Sequence, residues 1–544
     1  MIRVILLKKF KSIFWLSLMF ASMLTSVCTA QAPEATDLLV YGGTAAGVMT
    51  AYSAARQGLH VILLEPGTHL GGMVSGGLSA TDMGNPSVIG GYARAFYLRA
   101  AHVYGKTELK TAIDWRPEPH VAEESFGAML RETGVRVEFH RHLRELHGVD
   151  VRGKRIVSVV TDDGVQWSAK VFADCSYEGD LMAQAGVAYT WGRESSSIYG
   201  EALAGVREET PKHQFLWPLP AYDEQHKLYP EVHPGPMDAN GAGDRKVQAY
   251  NFRLILTRDP DDRLPFPKPV GYDPSQFRLL ARYLKEFPAH MGREPRVGDL
   301  MNPVPIANHK ADFNNNGPLS TDFIGHSWAY PESSYATRNA IREAHLRYTQ
   351  SFIYFLANDS AVPPALREEM RQWGLPKDEF KDSGHWPWQL YVREGRRMIG
   401  AYVMTQSDLQ TQRTKPDSIG MGSYNSDSHN TDRVAMADGT VRNEGDVQVP
   451  VKPYEISYRA ITPRPEEVLN LLVPVCFSAS HVAYSSIRME PQYMIVGQAA
   501  GVAAALAVRD RIPVQQIDLK ALAKELEKEG AILHIDQATA APSE

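Results

Sequence analysis

Residues 37–65, DLLVYGGTAAGVMTAYSAARQGLHVILLE, are the stretch that decides the fold. Two short apolar runs flank a glycine turn and an alanine-rich segment. This pattern predicts a buried strand at Asp37–Tyr41, a helix at Ala45–Gln57 and a strand at His60–Leu64. Parallel strands need a long crossover connection, usually a helix. The stretch therefore predicts a βαβ unit of the dinucleotide-binding Rossmann type.

The glycine turn and the acid after the second strand supply the chemistry of a nucleotide site. Gly42 and Gly47 stand where such a loop needs a tight turn and close helix packing, although Thr44 replaces the middle glycine. Glu65 can accept a hydrogen bond from a ribose hydroxyl, which favours FAD or NAD over NADP. The predicted cofactor residues here are Gly42, Gly43, Thr44, Ala45, Ala46, Gly47, Glu65 and Pro66.

A second glycine-rich loop favours FAD. Residues 69–77 read HLGGMVSGG and follow Glu65 closely. Flavoproteins pass the chain along the pyrophosphate and the flavin ring at this point, whereas NAD dehydrogenases do not need such a loop. We predict that Gly71, Gly72, Met73 and Gly77 contact FAD.

The rest of the chain predicts a discontinuous nucleotide domain. Strands are expected at 135–139, 155–161 and 165–174, as a small antiparallel layer on the parallel sheet, and a buried strand is expected at 468–475. A helix is predicted at 489–508, and a docking helix after Asp518. The predicted domains are residues 36–195 and 461–512 for FAD, 196–460 for substrate, and 513–544 for the C-terminal helix and tail.

Composition and the N-terminus bear on partners and location. The net charge is only −6, without blocks of like charge, so nucleic acid is not an expected partner. Basic residues, an apolar run and small residues form a signal peptide at 1–30, cleaved after Ala30, which predicts an exported, periplasmic or secreted protein. A membrane anchor and a lipid-anchored start at Cys28 are the alternatives. The expected membrane contact is through the uncleaved signal peptide alone.

Two cysteines, Cys175 and Cys476, remain after this cleavage. The chain has no Cys-x-x-Cys, which excludes a dithiol redox enzyme and a zinc ribbon. The two thiols form either a disulfide or two buried apolar groups, and the sequence leaves both open. No metal site is predicted.

Co-linear motifs extend over nearly the whole mature chain. They are residues 42–47, 70–73, 82–85, 177–180, 247–253, 391–394, 427–429, 480–484 and 488–501. In this order they resemble the FAD-dependent oxidoreductase family of glutathione-reductase-like fold, some of whose members are labelled xanthan lyases. The resemblance implies an α/β fold in which a discontinuous FAD-binding Rossmann domain carries an inserted α+β substrate domain.

The same resemblance assigns two further cofactor segments. The segment that ends with residues 174–179, among them the predicted cofactor residue Asp174, would cross under FAD. The helix carrying Gly497, Gln498 and Ala499 would cap the pyrimidine end of the flavin. A helix N-terminus suits that position because reduced flavin is negatively charged. The alternative is a packing helix whose glycines let it approach its neighbour.

Two histidines are the predicted catalytic residues. Oxidation by a flavin needs a base for the proton of the donor, and His481 and His429 both lie in polar motifs. A structural role for each is the alternative. The predicted substrate residues are Lys310, Asp312, Asn315, Arg393, Arg397 and Arg488, although the arginines can also pair internally with Glu394, and the loop at 310–315 can also hold a turn or a cation.

These observations predict an FAD-dependent oxidoreductase. It would oxidise a hydroxylated small molecule (a sugar, a polyol or a glycan-derived compound) by hydride transfer to flavin, with an unknown electron acceptor as its second partner. A lyase in which FAD is structural, and a glycan-binding protein on a flavin fold, are the alternatives.

Overall fold

A computed structural model describes residues 34–411 and 413–536. The predicted signal peptide, the alternatives at Cys28 and the last eight residues of the predicted tail lie outside the described residues. The strands are β1 Glu34–Tyr41, β2 Val61–Leu64, β3 Arg136–Glu138, β4 Val149–Arg152, β5 Arg155–Val160, β6 Gln166–Asp174, β7 Tyr189–Thr190, β8 Leu254–Thr257, β9 Arg263–Leu264, β10 Met301–Pro305, β11 Lys310–Asn315, β12 Leu375–Pro376, β13 Arg397–Met398, β14 Ser418–Gly422, β15 Ser426–Asp427, β16 Arg433–Ala435, β17 Val441–Asn443, β18 Gln448–Val449, β19 Tyr454–Ser457 and β20 Leu471–Leu472. The helices are α1 Ala45–Arg56, α2 Gly91–Val103, α3 Pro119–Thr133, α4 Asp180–Gln184, α5 Ser196–Tyr199, α6 Arg278–Met291, α7 Tyr335–Asn358, α8 Pro364–Arg371, α9 Gln406–Gln410, α10 His481–Ile487, α11 Glu490–Asp510 and α12 Leu519–Lys528.

The central sheet has the strand order β3-β2-β1-β6-β5-β4, with β20 also paired to β6. β1, β2 and β3 are parallel, and α1 connects β1 to β2 as the sequence predicts. Successive side chains of a strand point to opposite faces. Leu38 and Val40 accordingly join one apolar cluster while Leu39 and Tyr41 join another. The fold is mixed α/β with a parallel core.

The antiparallel strands extend this sheet and do not form a separate layer, which corrects the prediction. β5 pairs antiparallel with the first part of β6, where Ser158 lies opposite Ser168, and β4 pairs with β5. The end of β6 reaches the parallel strands, because the Cys175 N–H donates to Tyr41 O at 2.8 Å. One nine-residue strand, β6, therefore belongs to both halves of the sheet.

The buried strand expected at 468–475 is much shorter, since β20 covers only Leu471 and Leu472. On one side, the Asn470 side chain takes over the bonds of a strand by pairing with both the N–H and the carbonyl of Ile156. On the other side, Pro474 has no N–H with which to continue a ladder.

Helix α11 packs directly on α1. A Cβ atom at Gly497 would collide with the carbonyl oxygen of Ala46, and one at Gly501 would lie 2.5 Å from that of Thr50. The two glycines are one helical turn apart and let the two backbones approach closely. The helix carries the C-terminal part of the chain back onto the βαβ unit at its N-terminal part.

The segment between residues 196 and 460 carries more regular structure than the loop-rich pattern predicts. β8, β10 and β11 form an antiparallel sheet, and α6 and α7 contribute to a second apolar cluster around residues such as Leu254, Phe313 and Phe352. Tyr250 and Phe252, from the same segment, belong to the first cluster. The domain boundaries stay predictions.

Helix α11 is also the only helix of the described residues that is long and apolar enough to cross a membrane. Its apolar window is 94% buried inside the protein, where it packs in the core. The two cysteines, Cys175 and Cys476, are buried free thiols.

Candidate cofactor and active site

Two cavities are lined in part by predicted site residues. The first, here called the loop cavity, has a volume of about 450 Å³, and its lining includes Gly42, Thr44, Glu65, Pro66, Gly72 and Ser176. The second, the polar cavity, has a volume of about 700 Å³, and its lining includes Asp82, Arg253, Asn315, Asp427 and His429.

Thr44 explains how the first glycine loop works without its middle glycine. It is the N-cap of α1, where its Oγ1 accepts from the Gly47 N–H at 3.2 Å and donates to Cys175 O at 2.8 Å. The hydroxyl thus fastens the loop to the end of β6. Gly42 has a φ of +96°, and a Cβ at Gly47 would collide with its carbonyl. Ala45 and Ala46 begin the helix, where the first N–H groups have no intrahelical partner and favour an anion such as a pyrophosphate.

Glu65 also lines the loop cavity. Its Oε2 accepts from the Gly43 N–H and its Oε1 from the Gly67 N–H, both at 2.6 Å. Burial raises the pKa of Glu65 to about 7 despite these bonds. Each carboxylate oxygen can accept more than one bond, so both can still accept from ribose hydroxyls.

The second glycine loop meets the first and then turns towards the polar cavity. The Gly71 N–H donates to Gly43 O at 2.7 Å. Gly72 leaves room for the Tyr177 hydroxyl, which accepts from the Met73 N–H at 2.9 Å and donates to Glu490 Oε1 at 2.8 Å. Gly77, with a φ of +129°, packs against the carbonyl of Arg253.

Asp174 supports the loop cavity from beneath. It accepts from the Ser176 N–H at 3.1 Å, from the Ser176 hydroxyl at 2.7 Å and from the Met182 N–H at 2.8 Å. Burial raises the pKa of Asp174 to about 6. Its bonds fix the turn that brings Ser176 into the lining, and Asp174 itself lies outside that lining.

A buried histidine–aspartate pair borders the polar cavity. The Nδ1 atom of His429 lies 2.6 Å from Asp322 Oδ2. Burial and the nearby Arg393 lower the pKa of His429 to about 3. Burial alone would raise the pKa of Asp322, but Arg393 and the hydrogen bond to His429 lower it to about 2. An ionised carboxylate only accepts, so the proton is on Nδ1 and the Nε2 lone pair is free to act as a base.

Asp427 is the second acid–base group of this cavity. Its Oδ2 lies 3.8 Å from His429 Nε2. Arg488 holds it by donating from Nη2 to its backbone carbonyl at 2.8 Å and to Oδ2 at 3.3 Å. Burial, opposed by Arg488 and helped by the charge of Asp82, raises the pKa of Asp427 to about 7.

The family model for FAD dependent oxidoreductase matches residues 37–526. The chain belongs to the FAD dependent oxidoreductase family. Its cofactor is FAD, and the loop cavity fits the nucleotide half of FAD, since it combines a glycine cradle, a helix start and the Glu65 carboxylate.

Known proteins and solved structures add little to this family match. Comparison with curated proteins gives no match. L-proline dehydrogenase from P. horikoshii has 15% identity over 30% of this chain and 59% of its own, with a TM-score of 0.23. A flavin-containing monooxygenase from Stenotrophomonas maltophilia has 18% identity over 32% and 44%, with a TM-score of 0.20. L-amino acid deaminase from Proteus vulgaris has 16% identity over 30% and 62%, with a TM-score of 0.22. This chain spans less than two thirds of each, and at such TM-scores none bears on its substrate.

Within this oxidoreductase, the predicted flavin cap lies in a packing interface. Gly497 touches α1, and Gln498 accepts from the Tyr92 N–H at 2.8 Å and donates to Glu529 at 3.2 Å. Neither these two residues nor Ala499 line either cavity. Their position is that of the packing helix, the alternative that the sequence left open. The unpartnered polar atoms of the segment lie earlier, on Arg488, Glu490 and Gln492, all buried.

The other predicted base, His481, lies in a buried ion network outside both cavities. The ring Nδ1 of His481 is 2.8 Å from Glu394 Oε2, and its backbone N–H donates to Glu194 Oε2 at 2.9 Å. Glu394 also binds Arg397, and its contacts with His481 and Arg397 lower the pKa of Glu394 to about 2 although burial opposes this shift. Arg397 therefore pairs with carboxylates of the protein itself, which is the structural alternative to a substrate contact.

Lys310 is also away from the polar cavity. Its Nζ lies 2.6 Å from Glu118 Oε1, 2.6 Å from Asp378 Oδ1 and 2.9 Å from Glu379 Oε1. With His120, these three acids are close enough together to hold a metal ion, but the ammonium group already occupies the space between them. Burial opposes the charge, yet the carboxylates raise the pKa of Lys310.

The remaining predicted substrate residues lie at or near the polar cavity. Asn315 lines it, and Asp312 holds the lining residue Arg253 at 2.9 Å. Arg393 lies 3.1 Å from Asp322 Oδ1, and Arg488 holds Asp427. These residues build the supports of the site more than its surface.

The site residues that were not predicted include Asp322, Gln248 and Asp427. Asp322 lies 107 positions before His429, in a stretch with no recognisable motif. Gln248 accepts from the His429 N–H at 3.0 Å and donates to Glu394 at 2.9 Å, so it connects the two predicted histidines. Gln248 lies in one of the co-linear motifs, which was a usable signal, whereas Asp322 offered none.

Proposed function

We propose that this oxidoreductase is exported and oxidises a hydroxylated small molecule, such as a sugar, a polyol or a glycan-derived compound, in the polar cavity. The observation that carries the proposal is the Asp322–His429 pair at 2.6 Å beside that cavity. A neutral imidazole whose Nδ1 proton is held by a carboxylate presents its Nε2 lone pair to the hydroxyl group of a substrate.

The residues of the chain divide the work as follows. Asp322 fixes the tautomer and orientation of His429, and His429 takes the proton of the substrate hydroxyl. When bound, FAD supplies the acceptor for the hydride, so the C–H and O–H bonds break and a carbonyl forms. An electron acceptor is the second partner of the proposed reaction. The glutathione-reductase-like subtype and the inserted substrate domain are part of the same proposal.

Export is supported by the first thirty residues, where Arg3, Lys8 and Lys9 precede an apolar run and a small-residue end. The N-terminal sequence of the protein recovered from periplasm or medium tests this step. We expect it to begin at Gln31, and recovery of the uncleaved chain in the cytoplasm would contradict export.

The chemical proposal is tested by an anaerobic screen of sugars, polyols and hydroxy acids in which flavin absorbance is followed. We expect at least one polyhydroxy compound to bleach the flavin. His429→Gln should keep the bound flavin and lose bleaching rate by about 10²- to 10⁴-fold, the usual contribution of a general base. The exposed helix residue His102 provides the matched control, His102→Gln. Substrate cleavage without any bleaching would favour the lyase alternative.

A further inference from the structure

We propose that the polar cavity selects substrates with two adjacent hydroxyl groups and holds them between His429 and Asp427. The inference rests on the proposed function and narrows its substrate class to vicinal diols. Three features of the cavity carry it: its unpartnered atoms, the spacing of the two acceptors, and the way in which Asp427 is fixed.

In the described part of the chain, three buried atoms of the lining have no hydrogen-bond partner: two amide oxygens, which only accept, and the Thr81 hydroxyl, which can accept or donate. Gln214 Oε1 and Asn315 Oδ1 are both buried and have no hydrogen-bond partner. The orientation of the Gln214 amide is fixed, because its Nε2 donates to Asn443 O at 2.8 Å. The buried cation of the lining, Arg253, is already paired with Asp312. A ligand that satisfies this wall must therefore donate hydrogen bonds.

The unpartnered acceptors of the lining distinguish between classes of ligand. A hydroxyl group donates one hydrogen bond and accepts others, whereas an ionised carboxylate only accepts. Leaving buried acceptors unsatisfied carries a free-energy cost, so a ligand that satisfies them is favoured. A compound with several hydroxyl groups suits the wall better than an acid of the same size.

The spacing of His429 and Asp427 selects adjacent hydroxyls. His429 Nε2 and Asp427 Oδ2 are 3.8 Å apart and both residues line the cavity. Two hydroxyls on neighbouring carbons in the gauche arrangement lie close enough together to reach both acceptors at once. A single hydroxyl can bond well to one acceptor and leaves the other, which is largely buried, without a full partner.

The carboxyl group of Asp427 is held in position for this role. The backbone carbonyl of Asp427 accepts from Arg488 at 2.8 Å, and Arg488 is anchored in turn by donating to the Tyr391 hydroxyl at 2.9 Å. Asp427 also belongs to the short pairing of β15 with β18, where it lies opposite Gln448. The carboxyl therefore approaches His429 from a fixed backbone, which gives the pair a defined span.

The test uses the FAD-loaded enzyme and two panels of probes under anaerobic conditions. The first panel holds vicinal diols: glycerol, butane-2,3-diol, myo-inositol and glucose. The second holds propane-1,3-diol, butane-1,3-diol, cyclohexanol and lactate. We expect every compound that bleaches the flavin rapidly to belong to the first panel, with kcat/KM roughly 10- to 100-fold above its matched partner, as for one hydrogen bond to a charged group.

Asp427→Ala should remove this preference by lowering kcat/KM for the diols towards the value for single alcohols. Asp261→Asn, at an exposed aspartate, is the control. Flavin content and the thermal midpoint show whether Asp427→Ala folds. If that variant does not fold, Asp427→Asn, which keeps an acceptor, replaces it and should retain part of the preference for vicinal diols. Rapid bleaching by the second panel, or an equal loss for both panels in Asp427→Ala, overturns the diol proposal and leaves the proposed oxidation of a hydroxylated compound standing. Failure of both panels to bleach the flavin overturns both.

Discussion

Glu490 is a buried carboxyl group whose protonation links the cofactor region to the stability of the fold. It is 2% exposed, one of its oxygens accepts from the Tyr177 hydroxyl, and the other has no hydrogen-bond partner. Burial raises the pKa of Glu490 to about 8, and the bond from Tyr177 and the charge of Arg488 reduce this effect. The carboxyl is therefore largely neutral in the folded protein near pH 7.

The direction of the pH effect follows from this pKa. In the unfolded chain a glutamate has a pKa of about 4.3, so between about pH 4.5 and 8 the folded protein binds the extra proton. The contribution of Glu490 to the free energy of unfolding is therefore fully present below this pH range. It falls as the pH rises through the range, because the folded protein must then ionise a buried carboxyl group. Glu490→Gln keeps an acceptor for Tyr177 but cannot ionise.

We predict that the thermal midpoint of flavin-free Glu490→Gln matches the wild type at pH 5 and exceeds it by a few degrees at pH 8. Scanning calorimetry at both pH values measures the difference. Glu224→Gln, at an exposed glutamate, should give no such pH dependence. A constant difference between Glu490→Gln and wild type across this range would contradict the prediction.

At this scale, local sequence predicted the nucleotide loop better than the surroundings of the proposed base. Gly42, Gly47 and Glu65 lie within one βαβ unit, whose strand, helix and terminal acid together predict a nucleotide site. His429 could be proposed as a base, but Asp322, which holds its Nδ1, lies in a loop 107 residues away. The charges on Lys310 and Arg397 suggested substrate contacts, whereas tertiary structure surrounds both with carboxylates.

At the scale of secondary-structure elements, the contact of α11 with α1 determines the position of the cofactor loop. α1 begins directly after Thr44, and Gly497 packs against Ala46 in its first turn. A side chain at position 497 would push that turn away and disturb the helix start that faces the loop cavity. Overpacking in a close contact typically costs about 1–3 kcal/mol.

We predict that Gly497→Ala lowers both the free energy of unfolding and the affinity for FAD, the latter by about tenfold or more. Urea denaturation and fluorescence titration of the flavin-free protein with FAD measure the two quantities. Gly298→Ala is the matched control, because a Cβ there meets no atom within 4 Å. Unchanged FAD affinity in Gly497→Ala would show that the packing contact and the cofactor loop are independent.

Elements with a strong local period were predictable, and those set by distant partners were not. α1 and α11 were expected within two residues of their observed ends. β20 is shorter than expected because Asn470 bonds sideways to Ile156, a contact that no local pattern reveals. Helix α7 was not predicted, although its buried residues Tyr348, Phe352, Phe355 and Leu356 recur at helical spacing. The helical period of apolar residues is therefore present in its sequence.

At the scale of the whole molecule, the cofactor site joins parts of the chain that are far apart in sequence. Tyr177 bonds to Met73 in the second glycine loop and to Glu490 at the start of α11. The Thr44 hydroxyl bonds to Cys175, and β20 pairs with β6 beside them. A ligand that binds the folded state alone stabilises everything that must be folded to bind it, by about 2.7 kcal/mol at a concentration 100 times its Kd.

We predict that FAD protects these distant segments from hydrogen exchange together. On adding FAD to the flavin-free protein, amide exchange should slow in parallel at residues 42–47, 71–77, 174–177 and 488–493, as measured by mass spectrometry of peptides. The β10–β11 hairpin borders the polar cavity alone, so its exchange should change less and provides an internal reference. Protection confined to residues 42–77 would mean that the C-terminal segment folds around α1 without taking part in cofactor binding. Because α11 packs on α1 through its glycines, such separation would require the two helices to open independently, which their close contact opposes.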